Sequence, residues 1–537
     1  MPRRTLFTDV TVLTMDPATP EAGALLVADG RVERAAHPDA LHTYAPDAEQ
    51  VRLAGRLICP GFVDAHNHFS LTALEPLSLD CRTPPVRSMD DLLIRLHDTA
   101  ARLPPGRWLR GYGYDEASLG GRHPSRADLD TAAPEHPVVL VHWTVHRCVA
   151  NSAALRAAGI ADADADPPGG RLVRDPAGAL TGLCYERASD PLQAASLAAY
   201  VKQYGDDLPV LFQRNAAQML RHGITAIGDA YVHPALAAVY ERTPLPLTVR
   251  PFCGSPDGLF APPLTCLAAP ADSSSGRLLP RGVKLFVDGG GNTTAASLAS
   301  GRPPRFLFYR QDELDALVER AHAAGLPVAV HAAGDIAVAM TLDAIEHARL
   351  LHPALPPRFR IEHAITLKQA DIPRLRSLDV VVVTQPEAIF QAGDRLVAAG
   401  LAEGVRIAPF RDLLDAGVTL VLSSDSPCYG LSPLWQIWCA AFRRTRSGAV
   451  LDDGQALTVE QALRAYTHAG GAALFTDQAG ALTPGTPADF VVLTADPRAT
   501  QPDQWHQLHV EAVYIDGEPV DLSQLQGPPP GRPAALP

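Results

Sequence analysis

The sequence of 537 residues contains no CxxC pair, no excess of basic residues and no uninterrupted apolar run near the roughly 18 residues that a membrane-spanning helix needs. Each absence excludes something. The eight cysteines, at positions 59, 81, 148, 184, 253, 266, 428 and 439, follow no regular framework and read as scattered reduced thiols. Forty-six basic residues face 59 acidic ones, a net charge of −13, so the chain has little reason to seek nucleic-acid phosphates or a membrane surface. Arg3 and Arg4 precede only a short apolar stretch broken by Asp9 and Asp16, with no small-residue cleavage site after it. No secretory leader is therefore expected, and the cytoplasm is the default address. The 49 prolines and 41 glycines show no period, so they read as turns rather than as collagen or linker. What remains is 47% apolar and 20% charged residues, the profile of a globular protein long enough for a large core.

Near the N-terminus, short β-type runs at Val10 to Met15 and Ala24 to Ala28 alternate with turns at Asp16 to Pro20 and Asp29-Gly30. Phe490 to Leu493 and Ala512 to Ile515, with the hairpin signal Asp516-Gly517, repeat the pattern near the C-terminus. Two β-rich ends predict a small sheet domain built from both termini, residues 1–58 and 480–525, beside a unit at 59–479. In that unit, helical stretches at Val210 to Arg221, Asp312 to Ala324, Ile336 to Leu351 and Ile407 to Ala416 alternate with short apolar runs. The candidate strands are Gly61 to Ala65, Thr225 to Gly228, Leu247 to Phe252, Val283 to Val287, Pro327 to Val330, Arg360 to Glu362, Val380 to Val383 and Leu420 to Leu422. Eight strands with intervening helices place the chain in the α/β class and predict a TIM (β/α)8 barrel. Residues from about 70 to 207 do not fit a simple βα unit and read as a long insertion after strand one, with an Ala/Asp-rich loop at Ala161 to Pro168. Pro528 to Pro537 reads as a frayed tail.

Barrel enzymes keep their active sites at the C-terminal ends of the strands, and there these strands share a pattern. Strand one ends in Asp64-Ala65-His66-Asn67-His68, strand four carries Lys284, and strands five, six and eight end at His331, His363 and Asp425. Residues i and i+2 of an extended segment face the same side, so His66 and His68 can reach one ion. Either histidine, or His331 or His363 taken singly, is as easily a hydrogen-bonded core residue. Together with Asp425 on one rim they form a donor set of imidazoles and a carboxylate that suits Zn²⁺ or a similar ion. Lys284 alternates with outward-packing neighbours and can point into the barrel, where a buried ammonium must be paired, neutralised or chemically modified, carbamylation being one route. Glu362 is expected on the face opposite His363, supporting a ligand or forming an ion pair rather than holding the metal, Asp335 as a helix N-cap, Asp229 as a pocket or turn residue, and Tyr114 and Asp115 as part of a lid over the pocket.

These pieces, in this order, resemble the metal-dependent amidohydrolase superfamily, in the branch of N-substituted formamide deformylase and YtcJ-like proteins. The resemblance rests on Pro60 to His68, Val283 to Gly289, Val330 to Asp335, Arg360 to Ala364 and Ser423 to Pro427. Gly113 to Glu116, His146 to Leu155, Gly480 to Gly485 and Ala488 to Leu493 also carry it, and it runs from about residue 8 to about 520. Two departures are Ser423-Ser424, where a Gly-Ser pair is commoner, and Thr486, where Lys is common. The resemblance implies a TIM barrel with a small β-sandwich from both termini. It implies His66 and His68 on a buried metal, Lys284 as a carbamylated bridge if two ions are held, His331 and His363 on the second ion, and Asp425 as ligand and proton shuttle. One or two Zn²⁺ ions, or another divalent transition metal, are expected, and no organic cofactor. His146 is implied to hold the carbonyl oxygen or orient the substrate.

The reaction implied is hydrolysis of a carbon–nitrogen bond other than a peptide bond, in a formamide, an N-acyl amine or a cyclic amide, by water activated on the metal. Asp425 would pass a proton to the leaving nitrogen. An esterase or carbamate hydrolase on the same centre, or a barrel that only binds, are the alternatives. Small molecules are the expected partners, with a homodimer as the common assembly.

Overall fold

The computed structural model describes residues 3–268, 276–291, 294–301 and 306–521, and the expected tail from Pro528 to Pro537 lies outside them. Eight parallel strands form the central sheet: β1 (Phe62–Asn67), β2 (Ile224–Val232), β3 (Thr248–Cys253), β4 (Gly282–Phe286), β5 (Val328–Ala332), β6 (Phe359–His363), β7 (Val381–Thr384) and β8 (Leu420–Leu422). They stand side by side in chain order, each parallel to the next. Runs such as Val-Ala-Val, Val-Val-Val and Leu-Val-Leu are buried throughout, as strands covered on both faces require.

The helices between them turn one apolar stripe inward. Leu208–Arg221 buries Leu211, Phe212, Ala216, Met219 and Leu220, and Gln311–Ala323 buries Leu314, Leu317, Val318 and Ala321. Each fully buried leucine or valine contributes about 1.5 to 3 kcal/mol.

Between β8 and β1 the barrel is drawn together by polar bonds. The backbone N–H of Asp425 donates to His66 O at 2.8 Å, and Ser424 donates its N–H and its hydroxyl to the Asp64 carboxylate at 2.8 and 2.6 Å. Tyr466 Oη and Asn67 Nδ2 also reach Asp64, at 3.4 and 3.2 Å.

Strands from the two ends of the chain form one eight-stranded sheet. Phe490–Leu493 pairs antiparallel with Glu49–Pro60, Val491 opposite Cys59 and Val492 opposite Ile58. Phe490 stacks on Tyr514 at 4.4 Å between ring centroids, with Phe7 packed edge-on against both. The insertion is more regular than its sequence suggests. It folds around a six-stranded sheet whose strands lie between Leu79 and Glu186, flanked by helices Met89–Ala100, Arg126–Ala132 and Asp190–Tyr204.

The cysteines depart from the expectation of eight reduced thiols. Cys253 at the end of β3 is disulfide-bonded to Cys266, because the intervening loop folds back, tied by Tyr231 Oη to Ser255 O and Gly258 O. The other six are free. Among the described residues no helix is long and apolar enough to cross a membrane.

Candidate metal centre

His66 and His68 leave β1 on the same side, and their Nε2 atoms lie 3.3 and 3.2 Å from Asp425 Oδ1. The ring centroids of His66 and His363 are 4.8 Å apart, and those of His331 and His363 are 4.4 Å apart. One ligand atom from each of His66, His363 and Asp425 lies within 4.8 Å of the others. Two backbone distortions make this convergence possible. His363 and Asp425 both adopt left-handed φ, 75° and 54°. Non-glycine residues take up that conformation only when the surroundings demand it.

The bend at His363 changes the expected facing of Glu362 but not its expected role of supporting and ion-pairing its neighbours. Strand alternation alone would put the two on opposite faces, but the positive φ turns His363 back, so both reach the barrel interior. Glu362 accepts from His66 Nδ1 and from the guanidinium of Arg360, whose Nη2 also bonds Ala65 O at 2.7 Å. His363 Nδ1 is engaged by Gln385 Oε1 at 2.7 Å. Gln385 is held in turn through Nε2 on Ser423 Oγ at 3.0 Å, which gives the unusual Ser423 a role. With Nδ1 occupied in this way, Nε2 is the nitrogen that each ring presents to an ion.

Lys284 lies fully inside the barrel, its Nζ without a hydrogen-bond partner and 4.9 Å from the centre of the Phe286 ring. His68 Nδ1 and His331 Nε2 are also buried without a hydrogen bond. An orphaned buried polar atom costs about 1 to 3 kcal/mol. Three in one cluster fit a donor set able to hold a cation. Burial lowers the Lys284 ammonium to about 8 against the pull of Glu362, so a neutral, nucleophilic amine is accessible near neutral pH. Burial also holds His68 down, His363 down to about 3 and His331 well below its usual value, keeping the imidazoles neutral as ligands must be. For Asp425 burial acts upward, but His66, His68 and His363 outweigh it and hold the carboxyl well below the ordinary range.

His146 reaches the barrel mouth from the insertion. Its Nδ1 bonds Glu186 Oε2 at 2.7 Å, its ring stacks on Phe260 at 5.1 Å, and it lies 5.3 Å from the His331 ring. Gly290 passes so close that a Cβ there would strike the imidazole. Asp288 accepts the backbone N–H groups of Ala295, Ala333 and Gly334 at 2.7 to 3.0 Å, bracing the loops after β4 and β5.

The other candidates lie elsewhere. Asp229 is buried under β1's following turn, accepting from Ser70 N at 2.9 Å and Tyr240 Oη at 2.6 Å. Tyr114 packs into the insertion's own core with its hydroxyl on His123, and the cavity wall carries Tyr112 instead. Asp115 caps the short helix that follows it, through Ala117 N. Asp335 accepts from Ser297 N and Oγ at 2.7 and 2.6 Å rather than capping its own helix. Gln385 and Glu186 escaped the sequence reading. Gln385 had a signal, a polar residue just past the end of β7, whereas Glu186 ends a strand of the insertion for which no strand was expected.

Beside His68 a cavity, partly open to solvent, runs between the barrel mouth and the insertion. Leu71, Leu74, Val141, Val145, Leu197 and Leu259 make most of its wall apolar.

The model of the amidohydrolase family matches residues 49–521. N-substituted formamide deformylase of Arthrobacter pascens is 32% identical over 96% of this chain and 98% of its own length. The putative amidohydrolase YtcJ of Bacillus subtilis (strain 168) is 27% identical over 88% of this chain and 90% of its own. An uncharacterized metal-dependent hydrolase from Pyrococcus horikoshii OT3, 23% identical, superposes with a TM-score of 0.72 over 93% of this chain and 99% of that one. The chain belongs to the amidohydrolase family, as a metal-dependent hydrolase of carbon–nitrogen bonds other than peptide bonds.

Proposed function

We propose that the chain hydrolyses N-substituted formamides or closely related N-acyl amines at a zinc centre held by His66, His68, His331, His363 and Asp425, with Lys284 carbamylated between two ions. The observation that carries this reading is the set of three buried atoms without a hydrogen bond, His68 Nδ1, His331 Nε2 and Lys284 Nζ, around the His66–His363–Asp425 cluster. Neutral imidazoles and a carboxylate are what Zn²⁺ prefers. When bound, the ion supplies a Lewis acid that acidifies water and polarises a carbonyl.

The protein's own residues do the rest. Asp425 accepts the proton of the attacking water and delivers it to the leaving nitrogen, which departs poorly as an anion. Glu362 fixes the His66 ring and Gln385 the His363 ring. Glu186 holds His146 by Nδ1, so Nε2 faces the mouth and can steady the carbonyl oxygen. The apolar wall excludes water around the nitrogen substituent.

The sheet pairing of Phe490–Leu493 with Glu49–Pro60 supports a domain division into 1–58 with 480–525 and 59–479. Six free cysteines support the cytoplasm as the address. Metal analysis of purified protein, run with a panel of N-formyl and N-acyl amines, tests the reading. Protein with no stoichiometric transition metal, or with metal and no amide turnover, ends it.

A further inference from the structure

The cavity beside His68 has one feature that its apolar wall does not explain. Arg110, on strand Leu109–Tyr114 of the insertion, lines it with a guanidinium whose hydrogen-bond partners are all neutral. Nη1 bonds Ser196 Oγ and lies 3.5 Å from Gln193 O, and Nη2 bonds Gln193 Oε1 at 3.0 Å. A guanidinium has five N–H donors. Nε and the second hydrogen of Nη2 therefore have no acceptor among the described residues. The ionisable groups that act on it are Tyr200, Cys148 and Tyr231, none a carboxylate, and burial lowers its affinity for its proton without making it neutral.

Apart from His68 of the metal centre, the acid and the base on the wall are already engaged. Glu75 is bonded by Arg82 at 3.1 Å. His233 accepts from Ala235 N at Nδ1 and donates to Pro256 O at Nε2. Other buried arginines without acid partners differ in surroundings. Arg250 faces the carbonyls of Leu474, Pro280 and Phe475, Arg443 those of Leu451, Ala408 and Ile407, and neither lines this cavity. A structural arginine spends its donors on carbonyls. Arg110, which like Arg250 and Arg443 makes three bonds from its five donors, instead lies in the wall of an apolar cavity, where a cation without an acid partner is costly and an anion would be bound strongly.

We propose that the substrate carries a carboxylate at the far end of an apolar nitrogen substituent, and that Arg110 binds it while the amide lies at the metal centre. The inference rests on the hydrolase reading above and narrows its substrate class. The protein's overall charge of −13 opposes such a ligand from a distance, so selection falls to this buried contact.

The test compares para-(formamidomethyl)benzoate with its neutral primary amide, para-(formamidomethyl)benzamide, on the metal-loaded enzyme. The acid should exceed the amide in kcat/KM by about 10- to 100-fold, and Arg110→Met should bring that ratio close to unity. The ratio corrects for a poorly folded variant, which would lose both rates together. Arg110→Gln, which keeps a hydrogen bond to Gln193 or Ser196, serves if the methionine variant does not fold. A wild-type ratio near unity, or a preference that persists in either variant, overturns the proposal. If neither compound is turned over, both are titrated calorimetrically into wild-type and Arg110→Met protein. Tighter binding of the acid that depends on Arg110 keeps the anion site and ends the hydrolase reading instead, whereas equal binding ends both.

Discussion

Among the described residues, two groups of histidines and carboxylates bring ligand-type atoms together, and they differ in what surrounds them. The barrel cluster of His66, His363 and Asp425 has Lys284, His68 and His331 around it with atoms that bond to nothing. The insertion cluster of Asp115, Glu116 and His142 also brings three ligand-type atoms within 4.8 Å. There every group has a partner. His142 Nε2 bonds Glu116 at 2.7 Å and its Nδ1 lies 2.8 Å from Thr144 Oγ1, Arg147 sits 3.3 Å from Glu116, and Asp115 caps a helix. An arginine already supplies the positive charge that an ion would bring. Residue type and spacing are the same in both, so unsatisfied atoms distinguish the metal centre from an ordinary polar network.

The largest effect expected from breaking this contrast is at Asp425. Asp425→Asn should lower kcat by about 10³- to 10⁴-fold, and steady-state rates on metal-loaded protein check it. Glu116→Gln, the matching change in the insertion, should leave kcat alone and lower the thermal midpoint by about 2 to 4 °C. A comparable loss of turnover from both changes would remove the distinction.

Metal content sharpens it next. His66→Ala should abolish stoichiometric metal measured by mass spectrometry of the purified protein, while His142→Ala should not alter it. In wild-type protein supplied with ¹³C-bicarbonate, a carbamate carbon signal should appear and be missing in Lys284→Met.

His146 joins the two regions, four residues beyond His142 yet facing the barrel. His146→Gln should cost about 10- to 100-fold in kcat with metal content intact. Glu186→Gln, which weakens the hold on Nδ1, should cost less and shift the pH profile of kcat.

The smallest effect is on acid stability. Burial lowers His142 to about 4 despite Glu116, so the unfolded chain binds that proton more tightly and stability falls as pH drops from 6.5 toward 4. The bond from His142, with Arg147 nearby, holds Glu116 to about 2, so its contribution is lost between pH 4.5 and 2. His142→Gln should flatten the first part of a midpoint-against-pH curve, and an unchanged slope would show that burial of His142 is not what drives it.

All eight barrel strands were legible because strands covered on both faces must be apolar runs, and their rim positions because polar residues interrupt those runs at one end. The histidines, Lys284 and Asp425 stood out for that reason. The ion-pair and supporting role of Glu362 was legible, but its facing was not, because strand alternation breaks at His363, whose φ of 75° is set by packing that no local pattern encodes. The insertion's strands were missed because they are short, and Gly113 and Gly182, both at positive φ, break the alternation of two of them. Arg110 and the Cys253–Cys266 pair need tertiary neighbours to acquire meaning: the first is one arginine among many until a cavity opens beside it, the second two cysteines 13 residues apart.

The seam between β8 and β1 also sets an order in time. Ser424 and Asp64, which close the barrel, are 360 residues apart, and the seam sits beside His66 and Asp425, two of the proposed ligands. A chain leaving the ribosome at about 5 to 20 residues per second has His66 and His68 outside for tens of seconds before Asp425 follows. During that interval the paired histidines are without the carboxylate that completes the site, and Asp64, later bonded by Ser424, is still in water. On the proposed ligand set, metal loading comes late in synthesis, and a chain cut short in β8 would have the histidines of the centre but not Asp425.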